Sequence, residues 1–314
     1  MARPPVTRHT HSCYSVFTVM DTHEELRPYL FAIAYRMLGS VAEAEDVVQE
    51  AFLRHHEAGV DAESPKAYLA TITTRLAIDQ LRSARARREV YPGEWLPEPL
   101  VDDEAVRHAE TADSLSLAFL HLLEKLSPVE RAVFLLREVF DYPYGDVARI
   151  VDTSEANARQ LVSRARRQVE EGRPRYEPSQ ELRDELTRRF LAAIEEGDLA
   201  GLEDLLAEDV VLHGDGGGKV PALARPVAGR KRVARTLLAW ARAGRRFGGA
   251  TVRPVVVNGQ PGAITLDREG RLINVFALQI ADGRVQALSS VVNPDKLGHL
   301  GPLADYAALI KGRS

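Results

Sequence analysis

The spacing of apolar residues divides this chain of 314 residues into a helical part and a later mixed part. Between residues 24 and 171, apolar side chains recur every three or four positions, as they do on one face of an amphipathic helix. Strand-like runs become frequent only after residue 250, where turn signals such as Asn258-Gly259 separate them. Helices followed by hairpins predict all-α domains that precede an α+β domain.

Composition excludes several classes of protein. No run of about 18 apolar residues is present, so the sequence predicts no membrane-spanning helix. A single cysteine, Cys13, excludes a disulfide framework and a multi-cysteine zinc site, and we expect no cofactor or metal. Residues 1–20 lack the apolar segment of a signal peptide. We therefore expect an irregular tail, or a translation start at Met20, and a cytoplasmic protein.

The formal charge of −4 disfavours a nucleic-acid partner only if charge is evenly spread, and here it is segregated. A capping-box pattern at Ser40 and Glu43 predicts a helix whose apolar face includes Val47 and Val48. Its opposite face is either an ordinary solvated surface or a docking surface for a basic partner. This acidic strip comprises Glu43, Glu45, Asp46, Gln49 and Glu50.

Arginines concentrate in the segment that follows Ser64-Pro65, a helix start with proline in the first turn. Cations near a helix C-terminus suit the helix dipole, but their density here also suits contacts with phosphates. An aromatic ring and hydroxyl groups, those of Thr73 and Thr74 included, suit the unstacked bases of melted DNA. The candidate residues on this basic helix are Tyr68, Thr71, Arg75, Asp79, Arg82 and Arg85.

Residues 91–112 are rich in proline and acidic side chains, which predicts an extended linker and neither a helix nor a central strand. Trp95 is unusual in a solvated linker, because a large indole gains free energy from burial. We therefore expect Trp95 to occupy a pocket elsewhere in the protein.

A second capping box, Ser127-Pro128-Val129-Glu130, starts another helical stretch. A short helix, a turn around residues 152–154 and a longer helix then follow the pattern of a helix-turn-helix. Amide and hydroxyl groups on the longer helix can hydrogen-bond base edges, and its arginines can contact phosphates. Its candidate DNA-binding residues are Asn157, Arg159, Gln160, Ser163, Arg164 and Arg167.

In this order, residues 43–53, 67–82 and 126–166 resemble the extracytoplasmic-function (ECF) sigma factors of the sigma-70 family. The resemblance implies a transcription initiation factor that is not an enzyme. It implies a sigma-2 domain at residues 21–90, the extended linker at 91–112 and a sigma-4 helix-turn-helix domain at 113–171.

The same resemblance implies partners for each surface. The acidic strip would dock on the beta-prime clamp of core RNA polymerase, and the sigma-4 domain would contact the beta flap. The basic helix would recognise and help to melt the −10 promoter element, and the helix-turn-helix would bind the −35 element. We expect promoter DNA and core polymerase as partners, no membrane, and a monomer when the chain is free.

Beyond a linker at residues 172–179, residues 180–297 resemble a SnoaL-like domain, and residues 298–314 form a C-terminal tail. This family has a nuclear transport factor 2-like cone with a curved antiparallel sheet. Three short motifs mark the sigma-factor subgroup with this extension: WLPEP at 95–99, DGGGK at 215–219 and NPDKL at 293–297. Their implied regulatory residues are Trp95, Pro97, Asp215, Gly216, Gly217, Gly218, Lys219, Asn293, Pro294, Asp295, Lys296 and Leu297.

Three interpretations of the extension stay open. His213 and Asp215 could abstract a proton in an isomerase-like or cyclase-like enzyme fused to a DNA-binding module. The cone could instead sense an unknown small ligand. In the third interpretation, the Trp95 linker and residues 293–297 contact the Asp215 loop and set the relative placement of the two DNA-binding domains.

Overall fold

The computed structural model confirms the predicted order of elements, with all-helical modules before an α+β domain. It describes residues 13–59, 64–101, 112–170, 179–246 and 249–306. Most of the predicted linker at residues 172–179 lies outside these ranges, as do residues 307–314 of the predicted tail. The side chain of Arg85 also lies outside the description.

The first module consists of α1 (Cys13–Leu38), α2 (Val41–Ala58) and α3 (Pro65–Glu89). Helix α1 begins at Cys13, within the segment for which the sequence predicts a disordered tail or a later translation start. Gly39 ends α1 with a φ of 68°, a left-handed conformation that glycine adopts without steric cost. Ser40 then caps α2, because its hydroxyl accepts a hydrogen bond from the Glu43 amide at 3.2 Å.

The second module consists of a 3₁₀ turn (Ala112–Leu115), α4 (Leu117–Leu123), α5 (Pro128–Phe134), a π turn (Leu135–Val139), α6 (Tyr144–Ile150) and α7 (Glu155–Glu170). Both halves of the second capping box form, with Ser127 and Glu130 each accepting the other's amide. Asp152, with a φ of 56°, lies in the turn between α6 and α7. These two helices and their turn form the predicted helix-turn-helix.

The two helical modules share one hydrophobic core. Leu30 of α1 belongs to the same buried cluster as Leu120 of α4 and Phe134 of α5. The hydroxyl groups of Tyr29 and Tyr142 are hydrogen-bonded across the boundary at 2.7 Å. The modules therefore pack directly against each other. The periodicity of apolar residues predicts the helices but does not predict this packing.

The C-terminal domain contains α8 (Gln180–Glu196), α9 (Leu199–Leu205), β1 (Leu206–Asp215), β2 (Val227–Ala228), α10 (Arg230–Arg246), β3 (Thr251–Val257), β4 (Gln260–Leu266), β5 (Leu272–Ala281) and β6 (Arg284–Val291). Leu278 and its neighbours on one sheet face pack against the helices of this domain. On the other face, Val275 and Val291 pack against Leu96 of the linker and Leu117 of α4. The linker therefore covers part of the sheet.

The sheet has the strand order β2-β1-β6-β5-β4-β3. β1 and β6 run parallel, whereas every other neighbouring pair is antiparallel. The predicted antiparallel sheet is therefore a mixed one, because β1 joins β6 only after α10 and two hairpins have intervened. Register shifts occur between β4 and β5, where Ile273 of β5 is the extra residue, and between β5 and β6, where Gln286 of β6 is the extra residue. Bulges of this kind bend and twist a strand, as a cone requires.

The predicted hairpin turn at Asn258-Gly259 is confirmed, and a second hairpin turn has the same conformation. Asn258 and Gly259 join β3 to β4 with φ angles of 52° and 75°, and Asp282 and Gly283 join β5 to β6 with 52° and 67°. Two consecutive positive φ angles are typical of the tight turns that match strand twist. The residue types of both turns follow from this geometry.

Asn258 also connects the C-terminal domain to the helical modules. Its side chain is fully buried, and its amide nitrogen donates to the Tyr35 hydroxyl at 2.7 Å and the Leu115 carbonyl at 2.9 Å. Its amide oxygen accepts from the Leu100 backbone at 2.9 Å. One turn residue thus bonds to α1, the 3₁₀ turn and the linker.

Among the described residues, none of the helices combines the length and the apolar character needed to cross a bilayer.

We expect Asn258→Gly to lower the free energy of unfolding by roughly 2–4 kcal/mol, because buried polar groups left unpaired cost about 1–3 kcal/mol each. Glycine keeps the positive φ, so the loss reports the side-chain bonds. Asp282→Gly is the matched control, since Asp282 occupies the equivalent position in an exposed turn. Urea unfolding of both variants measures the difference, and equal stabilities would contradict this role of Asn258.

Candidate functional site

Asp215, the last residue of β1, is fully buried and accepts four hydrogen bonds. Its Oδ1 accepts from the Tyr91 hydroxyl at 2.6 Å and the Gly217 amide at 3.0 Å. Its Oδ2 accepts from the Leu96 amide at 2.8 Å and the Lys296 Nζ at 2.6 Å. A buried carboxylate persists only with such partners, so these groups form one electrostatic unit.

Lys296 supplies the opposite charge and is itself only 5% exposed. Its ammonium group also donates to the Leu96 carbonyl. The same group lies 4.0 Å from the ring centroid of Trp95 and 5.0 Å from that of Tyr91. Both rings therefore make cation–π contacts with the ammonium group, in addition to its ion pair with Asp215. Trp95 therefore packs against a cation that belongs to the NPDKL motif.

Tyr91 remains a neutral donor within this unit. Burial, followed by the hydrogen bond to Asp215, raises the pKa of the Tyr91 phenol. Its hydroxyl oxygen in turn accepts from the Asn293 amide nitrogen at 2.8 Å. The hydroxyl thus links the DGGGK motif to the NPDKL motif through a residue of the linker.

The glycines of DGGGK allow the two motifs to approach closely. Gly217 has a φ of 59°, and a Cβ atom on it would lie 2.4 Å from the Nδ2 of Asn293. The backbone amide of Asn293 also donates to the Asp215 carbonyl at 3.0 Å. At the rim, Lys219 and Asp295 form an exposed ion pair at 2.6 Å. Positive φ and close approach both explain why a side chain is excluded here.

The other end of the WLPEP motif contacts the first module. The Glu98 carboxylate accepts from the Ser40 hydroxyl at 2.8 Å and the Val41 amide at 2.7 Å. Glu98 therefore places negative charge at the N-terminus of α2, where the helix dipole favours it. A Cβ atom on Gly39 would lie 2.8 Å from the Trp95 ring. The WLPEP segment of the linker therefore packs closely against the N-terminus of α2.

The structure thus joins all three motifs around Asp215 and Lys296. Pro97 is buried between the modules, and Leu297 is buried in the cluster on the sheet face. Pro294 starts the 3₁₀ turn that places Lys296, and Gly216 and Gly218 flank Gly217 in the turn. We call this assembly, defined by Tyr91, Trp95, Leu96, Asp215, Asn293 and Lys296, the interdomain clamp.

The acidic strip lies on α2, opposite the buried Ala44, Val48 and Ala51. Asp46 and Gln49 are exposed, whereas the other three residues are half-buried. Those three have partners within the first module. Glu45 pairs with Arg27, Glu50 pairs with Arg54 at 2.7 Å, and Glu43 accepts from Gln80 at 3.4 Å.

The predicted residues of the basic helix fall into two groups. Arg82 and Asp79 are exposed and paired at 3.0 Å, and Tyr68 is half-buried beside His55. Arg75 instead reaches the second module, where it donates to the carbonyls of Ile150 at 2.9 Å and Arg149 at 3.0 Å.

The hydroxyl groups expected on the basic helix are mostly unavailable. Thr73 and Thr74 are fully buried, so their hydroxyl groups do not face solvent. Thr71 donates to the Ala67 carbonyl of its own helix at 2.8 Å.

All six residues of α7 that the sequence predicts to bind DNA are exposed. Its opposite face buries Ala158, Val162 and Ala165 against the rest of the module. Asn157 bonds to Thr153 at 2.8 Å, and Arg159 pairs with Glu155. Gln160, Ser163, Arg164 and Arg167 share this solvent-facing side.

The sequence does not predict the roles of three residues that join the modules. Tyr91 and Glu98 lie in the predicted linker, and Asn258 is predicted only as a turn residue. Their bonds span 57 to 223 residues of sequence, so no local pattern reports them. The available signal was that Glu98 belongs to the WLPEP motif and that Tyr91 lies close to it in the sequence.

The geometry argues against the proton-abstraction interpretation. All four acceptor contacts of the Asp215 carboxylate are used for structure, and the His213 Nδ1 is bonded to Glu94 at 2.8 Å. A general base needs an unoccupied lone pair facing a substrate. Asp215 is therefore a structural counter-ion.

Two helical modules with a helix-turn-helix, followed by an α+β cone, define the class of sigma factors with a C-terminal extension. Residues 22–87 match Sigma-70 region 2, residues 116–169 match Sigma-70 region 4, and residues 187–293 match the SnoaL-like domain. The chain belongs to the ECF RNA polymerase sigma factors, which are not enzymes.

Individual relatives agree with this assignment. The chain is 38% identical over 307 residues to the ECF RNA polymerase sigma factor SigJ of Mycobacterium tuberculosis, covering 92% of this chain and 96% of that protein. It is 34% identical over 292 residues to the probable ECF sigma factor SigI of that organism, covering 87% and 93%. The crystal structure of SigJ superposes with a TM-score of 0.74, covering 91% of this chain and 100% of that one.

We expect Lys296→Met to destabilise the chain by about 3–5 kcal/mol, because it leaves the Asp215 carboxylate buried without a counter-charge. The double variant Asp215→Asn with Lys296→Met should recover part of that loss, since both charges are then gone. Urea unfolding of the single and double variants measures the coupling.

Lys219→Met is the matched control, because Lys219 and Asp295 are 55% and 61% exposed. Exposed pairs contribute about 0–1 kcal/mol. Equal losses for Lys219→Met and Lys296→Met would show that the clamp has no special energetic role.

Proposed function

We propose that this sigma factor binds core RNA polymerase through the acidic strip and promoter DNA through α3 and α7, while its C-terminal domain holds the two helical modules in a closed arrangement. The main observation that supports this closed arrangement is the contact of Arg75 with the second module. A cytoplasmic, monomeric free chain forms part of the proposal, because all closing contacts lie within one molecule.

The exposed face of α7 supports its assignment to the duplex −35 element. Asn157, Gln160 and Ser163 lie on the first turns, where a recognition helix contacts base edges. Arg164 and Arg167 lie farther along the exposed side, where they suit phosphates. The helix needs no rearrangement to present this face.

The −10 surface on α3 is only partly available in the closed arrangement. Tyr68 and Arg82 can reach solvent, but the Nε and Nη2 of Arg75 donate to carbonyls at the C-terminal end of α6. These bonds hold the guanidinium against the second module and leave only its other N–H groups for a phosphate. Full use of Arg75 by the melted −10 strand therefore requires it to leave Ile150.

Promoter geometry also requires opening. Elements centred near −10 and −35 lie about 25 base pairs apart, or about 85 Å along B-DNA. Arg75 on α3 and Ile150 in the helix-turn-helix lie 2.9 Å apart in the closed chain. Both modules cannot occupy their elements until they separate.

The interdomain clamp is placed to control this separation. Its linker segment bonds to α2 through Glu98 and to the C-terminal domain through Leu96 and Asp215. Asn258 adds bonds to α1 and to the 3₁₀ turn before α4. The C-terminal domain therefore contacts both modules at once, and its release would favour the open form.

The acidic strip suits a basic surface on the polymerase. Asp46 and Gln49 are exposed, and the ion pairs of Glu45 and Glu50 lie at the surface, where they exchange partners at small cost. In our proposal, this face binds the beta-prime clamp of core RNA polymerase, and the second module binds the beta flap of the polymerase.

We expect Arg164→Ala and Arg167→Ala each to weaken binding to non-specific duplex DNA and to reduce the slope of log K against log salt by about 1. Each lost phosphate contact releases one counterion fewer. Fluorescence anisotropy across a salt series measures the slope. Arg188→Ala on α8 is the control, and a slope equally reduced in that variant would contradict the role of α7.

We expect energy transfer between dyes at Asp79→Cys and Asp152→Cys, in a Cys13→Ser background, to be high in the free chain and to fall when core polymerase is added. Both sites are exposed and adjoin the Arg75 contact. Dyes at Asp152→Cys and Gln168→Cys, both within the second module, are the control pair. Unchanged transfer in a complex that initiates transcription would rule out the opening.

A further inference from the structure

Three side chains with metal-binding atoms meet where the linker, α4 and β1 come together. Glu94 precedes Trp95 in the linker, His121 lies on α4, and His213 lies on β1. One ligand atom from each lies within 4.8 Å of the other two. We propose that Glu94, His121 and His213 form a binding site for a divalent transition-metal ion such as Zn²⁺.

The geometry of the cluster is close to that of a metal site. The His213 Nδ1 lies 2.8 Å from the Glu94 Oε1, and the His121 Nε2 lies 3.6 Å from the same oxygen. Ligands at about 2.0–2.2 Å from a tetrahedral zinc ion lie roughly 3.3–3.6 Å from one another. Small side-chain rotations therefore bring three ligands to coordination distance.

The chemistry of the donor set also fits. Two imidazoles and one carboxylate match the ligands of open zinc sites, which leave a fourth position for water. Burial, followed by the neighbouring His213, lowers the pKa of His121. Glu94 opposes that shift but provides the negative charge that a cation requires.

The cluster contains buried polar atoms that the described residues do not satisfy. The Glu94 Oε2 and the His121 Nδ1 are buried and have no hydrogen-bond partner. Such atoms are rare in folded proteins and point to an ion or another bound group. The side chains of Glu94, His213 and His121 are 14%, 21% and 29% exposed, which leaves an entry path.

Occupancy would join three segments that the sequence separates. A single ion would cross-link the linker, the second helical module and the C-terminal domain beside the interdomain clamp. The inference does not depend on the proposed function, because metal binding can be measured without polymerase or DNA.

The experiment uses the full-length chain and Zn²⁺ alone. Competition with a chromogenic chelator measures affinity and stoichiometry in wild type, Glu94→Gln, His121→Asn and His213→Asn. We expect each variant to bind one equivalent of Zn²⁺ fewer than wild type, or to bind that equivalent about 100-fold more weakly. Even mutation of a residue that only hydrogen-bonds to a metal ligand lowers metal affinity about 10–100-fold. Zn²⁺ should raise the Tm of wild type and not that of the variants.

The control is the double variant His23→Asn with His55→Asn, which removes a histidine pair joined at 3.2 Å in the first module. It should retain the wild-type equivalent and the Tm shift. Circular dichroism shows which variants are folded. Glu94→Gln removes the negative charge but keeps the size of the side chain. Wild-type zinc affinity in folded Glu94→Gln or His213→Asn would overturn the proposal and leave the cluster as a hydrogen-bonded contact.

Discussion

The Asp215 carboxylate carries its charge where water does not reach, and its four donors come from three separate parts of the chain. Removing water from a charge costs several kcal/mol unless protein donors replace it. The end of β1 is therefore stable only when the linker and the segment after β6 are both in place. The placement of the helical modules follows from this requirement, because the same linker also caps α2 through Glu98.

Closure affects the two DNA-binding surfaces unequally. The recognition helix α7 keeps its polar face in solvent, whereas Arg75 of α3 is engaged by the carbonyls of α6. In our proposal, the closed chain therefore approaches duplex DNA through α7 first. A net charge of −4 conceals this organisation, because it sums an acidic strip and two arginine-rich helices.

Local features of the fold could be predicted because their causes are local. The capping box at Ser127 and the hairpin turn at Asn258 depend on residues within three positions of each other. The parallel pairing of β1 with β6 and the roles of Tyr91 and Glu98 could not be predicted, because they depend on which distant segment covers a residue. Periodicity also placed Thr73 and Thr74 on a helix without showing that α3 buries them.

The separation of the clamp residues along the chain has a consequence for synthesis. The Leu96 carbonyl and the Lys296 ammonium group that bonds to it are 200 residues apart. At about 5–20 residues per second, a ribosome needs about 10–40 s to travel between them. In the later part of that interval, after Glu170 has been added, the nascent chain contains both helical modules before the segment that completes the clamp exists. Each newly made molecule therefore passes once through an unrestrained period, whatever signal later governs the finished protein.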